Sequence, residues 1–117
     1  MDKRAEERLR YVANVVETTP MPLFNIMGIQ GPYRFVYIEL PDSLRTDRDP
    51  YLRVAEHLCQ NSKSVCGVKF WDDGSVMARS LPMTDEQFNT MVAEYHRNLN
   101  TGHEHLYTCD RGNCKDF

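Results

Sequence analysis

The sequence predicts an α+β fold: a single antiparallel sheet of four to five strands, with a mixed sheet also compatible, and two amphipathic helices packed mainly on one face, in the order β-β-α-β-β-α-β. Residues 33–40 and 65–71 are dense in β-branched and aromatic side chains, the composition of a pleated, half-buried surface. After Asp49 and after Thr84, apolar residues recur at helical spacing on one side only. A stripe of that width must be buried against a second layer, and the strands supply one.

Taken in order, residues 1–10 are charge-dense and read as a short solvated helix or a frayed end, and residues 11–17 (YVANVVE) read as a strand. The Thr18-Thr-Pro-Met-Pro22 run breaks regular structure, because each proline lacks an N–H and forces its predecessor into an extended shape. Residues 23–29 fit a loop or a short strand, closed by Gly28 and the Gly31-Pro32 pair. The strongest strand is 33–40. Its alternation places Tyr33, Phe35 and Tyr37 on one face and Val36, Ile38 and Leu40 on the other, so both faces need cover.

Asp49-Pro50 has the form of an N-cap followed by proline at the first helical position, and Leu52, Ala55, Leu58 and Cys59 follow on one face. The 65–71 strand leads to Asp72-Asp73-Gly74, a tight-turn signal, and residues 75–79 read as its hairpin partner. Met83 to Phe88 is the best-specified local element. Thr84 can cap the third helical N–H while Gln87 reaches back to the Thr84 backbone, and Met83 can staple onto Phe88. Phe88, Met91, Val92, Tyr95 and Leu99 continue as one stripe, with Asp85, Glu86, Glu94 and Arg97 left polar, until Asn100 and Gly102 stop the helix. Residues 103–109 read as a last short strand. The organisation is thus a charged end at 1–10, one domain at 11–109 and a polar tail at 110–117.

The chain has 117 residues, the length of one domain, with 14 basic and 17 acidic side chains and a formal charge of -3. The basic residues are scattered, which disfavours a nucleic-acid partner needing Lys and Arg on one face. No apolar run is long enough for a membrane span, and the charged start lacks the apolar stretch of a signal peptide. A cytoplasmic address is the default. Four cysteines in so short a chain point instead to the periplasm or secretion if a leader was removed.

Three groups of residues bear on function. His103, His105 and Cys109 project to one side of the last strand, and with Cys114 they make up a four-ligand count for zinc, although the spacing matches no common zinc module. The competing reading is solvated histidines, with Cys109 and Cys114 closing a small disulfide loop over Gly112 and Asn113. Cys59 and Cys66 read as small buried hydrophobes rather than as each other's partners. His57 and Cys59 are two apart on a helix and so face different ways, which weighs against a nucleophilic pair. Asp72 and Asp73 read as turn residues.

No phosphate-cradling glycine loop, G-x-S-x-G nucleophile elbow or H-E-x-x-H helix is present. The third group is the aromatic set Tyr33, Phe35, Tyr37 and Trp71, which would anchor a protein partner if one sheet face is open. These readings favour a small non-catalytic protein-binding module of inhibitor, immunity or accessory-subunit type, acting through a sheet face or edge, with homodimerisation as one use of an open edge. A metal- or redox-dependent protein built on the C-terminal cluster, and a small enzyme, are the alternatives.

Overall fold

A computed structural model describes residues 19–117, so the readings for residues 1–10 and 11–17 fall outside the described residues. Six strands form one mixed sheet in sequence order: β1 (Leu23–Gln30), β2 (Tyr33–Glu39), β3 (Val65–Trp71), β4 (Ala93–Asn98), β5 (His103–Asp110) and β6 (Asn113–Asp116). Two helices join them, α1 (Arg48–Cys59) and α2 (Asp85–Thr90), with a single 3-10 turn at Asp42–Leu44. The class is α+β. Among the described residues the sheet has six strands rather than four to five, and the order is β-β-α-β-α-β-β-β.

All neighbours are antiparallel except β2 and β3, which run parallel with Tyr33 beside Gly67 and Tyr37 beside Trp71. A parallel pair needs a crossover, and α1 supplies it. The helix starts at Asp47, whose side chain accepts from the Asp49 N–H, two residues before the expected cap. Pro50 therefore sits in the first turn, where its missing donor has no intrahelical acceptor to lose.

The two faces are covered by different elements, not by two helices side by side. Helix α1 lies over β3, β4 and β5 and buries Tyr51, Leu52, Val54, Ala55 and Cys59 against Val36, Ile38, Cys66, Val68, Phe70, Ala93 and Tyr95. The opposite face holds a second core of Phe35, Trp71, Met77, Ala78, Met91 and Cys109, roofed by the connection from Asp72 to Val92. That connection contains no hairpin. Residues 75–79 drop Met77 and Ala78 onto the sheet because both sides of β3 are already taken by β2 and β4. It is pinned at three points: Trp71 Nε1 donates to the Gln87 carbonyl at 2.9 Å, the Leu81 N–H donates to Gln30 Oε1, and the Arg79 carbonyl lies where a Cβ on Gly28 would be.

The capping box forms, with Thr84 Oγ1 accepting from the Gln87 N–H at 3.1 Å and Gln87 Oε1 accepting from the Thr84 N–H at 2.9 Å. The helix it starts ends at Thr90, because residues 93–98 alternate buried and half-buried and form β4. The C-terminal residues are not a tail. Asp110 and Asn113 pair across a two-residue turn in which Arg111 (φ 51) and Gly112 (φ 81) both take positive φ, the geometry of a type I′ hairpin. Phe117 then packs on the helix-side core, its ring 5.5 Å from that of Tyr51.

Candidate functional site

The pairing registers order the side chains on the face opposite α1 into cross-strand rows. One runs Tyr33, Gly67, His96, His105, and the next Phe35, Lys69, Glu94, Tyr107, Asp116. The roof covers one end of these rows. Of the four aromatic residues expected to form a binding surface, Phe35 and Trp71 are wholly buried beneath it, stacked with centroids 6.2 Å apart. Only Tyr33 and Tyr37 keep partial exposure. The correction has a simple cause: the part of the roof that carries Met77 and Ala78, residues 72–84, is not regular structure, so its sequence has no periodic sign that it covers a sheet.

The other end of the face is polar, with Lys69 buried, His96, His105 and Tyr107 half-buried and His103 exposed. The Lys69 ammonium lies 3.3 Å from Glu94 Oε1 and 5.6 Å from the centre of the Tyr33 ring, which itself sits over Gly67 because that residue has no side chain. Beyond it, His96, His103, His105 and Tyr107 form a ladder of rings with successive centroid distances of 5.7, 4.3 and 5.5 Å. Asp116 Oδ1 stands 3.5 Å from His105 Nδ1.

His103 and His105 are thus together, as the strand reading placed them, but not with thiolates. Cys109 and Cys114 are bonded to each other at 2.03 Å, directly opposite across β5 and β6, and a sulfur in a disulfide is no thiolate ligand. Cys59 and Cys66 are also joined, at 2.04 Å, which corrects their reading as separate hydrophobes. Cys59 ends α1 and Cys66 opens β3 on the face beneath it, so the short reversal between them brings their Cα atoms to 5.9 Å. Among the described residues no three His, Cys, Asp or Glu side chains are placed as ligands of one ion.

The residues considered for catalysis are dispersed. His57 is exposed on α1, edge-on to Phe24 at 6.1 Å, while His96 is on the opposite face of the sheet. Asp72 and Asp73 line a shallow groove of about 700 Å³ with Asn25, Met27, Tyr37, Arg45 and Gly74. There Asp72 pairs with Arg45 at 3.0 Å. The Asp73 carboxylate accepts from the Ser75 hydroxyl at 2.7 Å and its N–H at 3.0 Å, and these bonds lower its pKa.

A buried polar network on the α1 face went unread in the sequence. Arg97 donates to both carboxylate oxygens of Glu56 at 2.9 Å and to the Cys59 carbonyl, while the Tyr95 hydroxyl lies 2.8 Å from both Glu56 and Glu104. Burial, then the two adjacent carboxylates, pushes the Tyr95 hydroxyl far above its ordinary pKa. The network fastens α1 to β4 and β5. Its one sequence signal is Arg97 in phase with Ala93 and Tyr95 at period two.

Among the described residues, the most exposed large apolar side chains are on β1, one of the two outermost described strands: Leu23 is 73%, Ile29 63% and Ile26 43% exposed. Ile26 and Ile29 pair with Val36 and Arg34 on the face that α1 covers, but α1 sits over β3 to β5. Leu23 borders an apolar groove of about 500 Å³ lined by Met21, Pro22, Leu40, Leu44 and Pro50. The sequence reading left this segment undecided between loop and strand, so its outward residues could not be separated from core. Among the described residues no helix is long and apolar enough to cross a membrane. In comparisons with known proteins, the chain matches no family model, no curated protein and no solved structure.

Proposed function

We propose that the chain is a small non-catalytic protein-binding module that docks a partner protein along β1. One observation carries this reading: three large apolar side chains stand exposed on a single outer strand, beside an apolar groove that ends at Leu23. Scattered apolar residues are ordinary on a protein surface, but Ile26 and Ile29 share one face of an outer described strand with Leu23 on its other face, and such a strand invites pairing with another chain unless something covers it. An added strand would gain main-chain hydrogen bonds, and alternate side chains would meet Ile26 and Ile29. The two disulfides support a non-reducing compartment, where such a module would be secreted or periplasmic.

The test is affinity capture from the source's extracellular or periplasmic fraction, using wild type and the Ile26→Lys/Ile29→Lys variant in parallel. Both positions are exposed, so the variant keeps its far-UV spectrum. The reading expects a defined partner on wild type that is absent from the variant. An identical set of proteins on both would defeat it.

A further inference from the structure

We propose that the apolar groove at the start of β1 takes a short extended segment of the partner protein in which a large apolar side chain is flanked by Lys or Arg. This inference rests on the reading of β1 as the docking strand, and it names the chemistry of what docks at that strand's end. The groove, about 500 Å³, lies where four pieces of chain meet: the residues leading into β1, the end of β2, the 3-10 turn and the first turn of α1. Its size falls within the range of about 300–1,000 Å³ typical of small-ligand sites, so a stretch of extended chain fits it and a folded surface does not.

The apolar part of the lining is stiff. Four prolines and three leucines contribute to it. Proline holds φ at about −65° and has almost no side-chain freedom to lose, so these walls are formed before anything binds and little ordering opposes the encounter. Leu23 and Leu44 are 73% and 37% exposed, and an apolar side chain in the groove takes their surface out of water.

The charged part of the lining has one sign. Glu39, Asp47 and Asp49 stand at the groove, and among the described residues no Lys or Arg lines it. Asp47 caps α1, accepting from the Asp49 N–H at 3.1 Å, and so answers the positive end of the helix dipole. Asp49 pairs with Arg48 at 3.6 Å, with both side chains 39% exposed. Glu39 is exposed and lies directly across from Leu23 where β1 meets the end of β2. An anionic segment would set like charge against these carboxylates, whereas a cationic one gains them as partners. Position adds a second constraint. Residues 23 and 29 are six apart on β1, so a strand pairing along it covers about 20 Å at about 3.3 Å per residue, and its continuation past Leu23 arrives at the groove.

NMR titration of isotope-labelled, oxidised, full-length protein tests the proposal with three acetylated, amidated peptides: Gly-Lys-Leu-Lys-Gly and the two versions with Gln or Glu in place of both Lys. Amide signals of Leu23, Leu40 and Leu44 should shift to saturation, the Lys peptide binding about threefold or more tighter than the Gln peptide and the Glu peptide not saturating. Salt at about 0.5 M, or the Glu39→Gln/Asp49→Asn variant, should bring the Lys and Gln peptides to equal affinity. Leu44→Lys should abolish the shifts at Leu23 and Leu40, while the indole signal of buried Trp71 shows that the variant is folded. No saturable shift, equal affinity for all three peptides, or an undiminished titration in Leu44→Lys would overturn the inference. Any of these alongside capture that depends on Ile26 and Ile29 leaves the β1 reading standing, whereas loss of that capture with the Lys peptide still preferred defeats the β1 reading and not the groove's selectivity.

Discussion

Replacing Arg97 by Met severs a largely buried charged link between α1 and the sheet, and the cost can be worked from its partners. The Arg97 side chain is 7% exposed and that of Glu56 15%. The change deletes two hydrogen bonds of 2.9 Å and the one to the Cys59 carbonyl, and it leaves the Glu56 carboxylate with Tyr95 as its remaining partner. Two charge-assisted bonds at about 1.5–3 kcal/mol each give about 3–6 kcal/mol, and the general figure for removing one member of a buried pair is about 3–5 kcal/mol, so a loss of about 3–5 kcal/mol is expected. Against a total stability of about 5–15 kcal/mol, that lowers the melting midpoint by on the order of 20 °C.

The pair as a whole is worth much less than either half. In Arg97→Met/Glu56→Met no charge is stranded: the Cys59 carbonyl still accepts from the Ser62 N–H at 2.9 Å and the Tyr95 hydroxyl keeps Glu104. The double variant should therefore lie within about 1–2 kcal/mol of wild type, with a coupling energy above about 2 kcal/mol. Urea unfolding followed by Trp71 fluorescence, with disulfides intact, measures all three variants. A single substitution costing under about 1 kcal/mol, or a double variant as unstable as the sum of the singles, would refute the network as a buried anchor.

Three further outcomes follow from the same coordinates. Burial, then Asp72, pushes the Tyr51 hydroxyl up from 10.0 to about 12, and Tyr95 is raised further. Both are raised acids, so their contribution is intact below the unfolded value of 10.0 and is lost as pH climbs from there; Tyr51 should ionise in the folded chain only near pH 12, and Tyr95 phenolate absorbance should appear only together with unfolding. Cys59 and Cys66 are fully buried whereas Cys114 is exposed, so a mild reductant should open Cys109–Cys114 first, as alkylation and peptide mapping would show, and Cys59→Ala/Cys66→Ala should cost about 2.5 kcal/mol by loop entropy. Gly28→Ala sets a methyl against the Arg79 carbonyl, and should destabilise by about 1–3 kcal/mol in the same urea assay.

What could be read in the sequence was local. The capping box at Thr84 and Gln87 needs only four residues, and it forms as its pattern requires. The strand character of 33–39 and 65–71 follows from side-chain type. After Thr90 two periods compete over one stretch: Phe88, Met91, Val92, Tyr95 and Leu99 fit a helix, while Ala93, Tyr95 and Arg97 fit a strand. The second wins in a fold where Glu56 and the Cys59 carbonyl, on α1 above this face of the sheet, satisfy Arg97 from 41 and 38 residues away. The parallel pairing of β2 with β3, the roof over Trp71 and the Cys59–Cys66 bond share this character. Each depends on which elements meet, not on the residues within one element. The histidine ladder lies between these cases, since the spacing of His103 and His105 was legible but the arrival of His96 required the β4–β5 register.

The docking role of β1 is tested most directly by a photo-reactive benzophenone side chain placed at Ile29, with the same group at exposed Lys63 as control. The account predicts one discrete cross-linked species from position 29, competed away by unlabelled wild type but not by the Ile26→Lys/Ile29→Lys variant, and none from position 63. No adduct at position 29, or the same adducts from both positions, would contradict it.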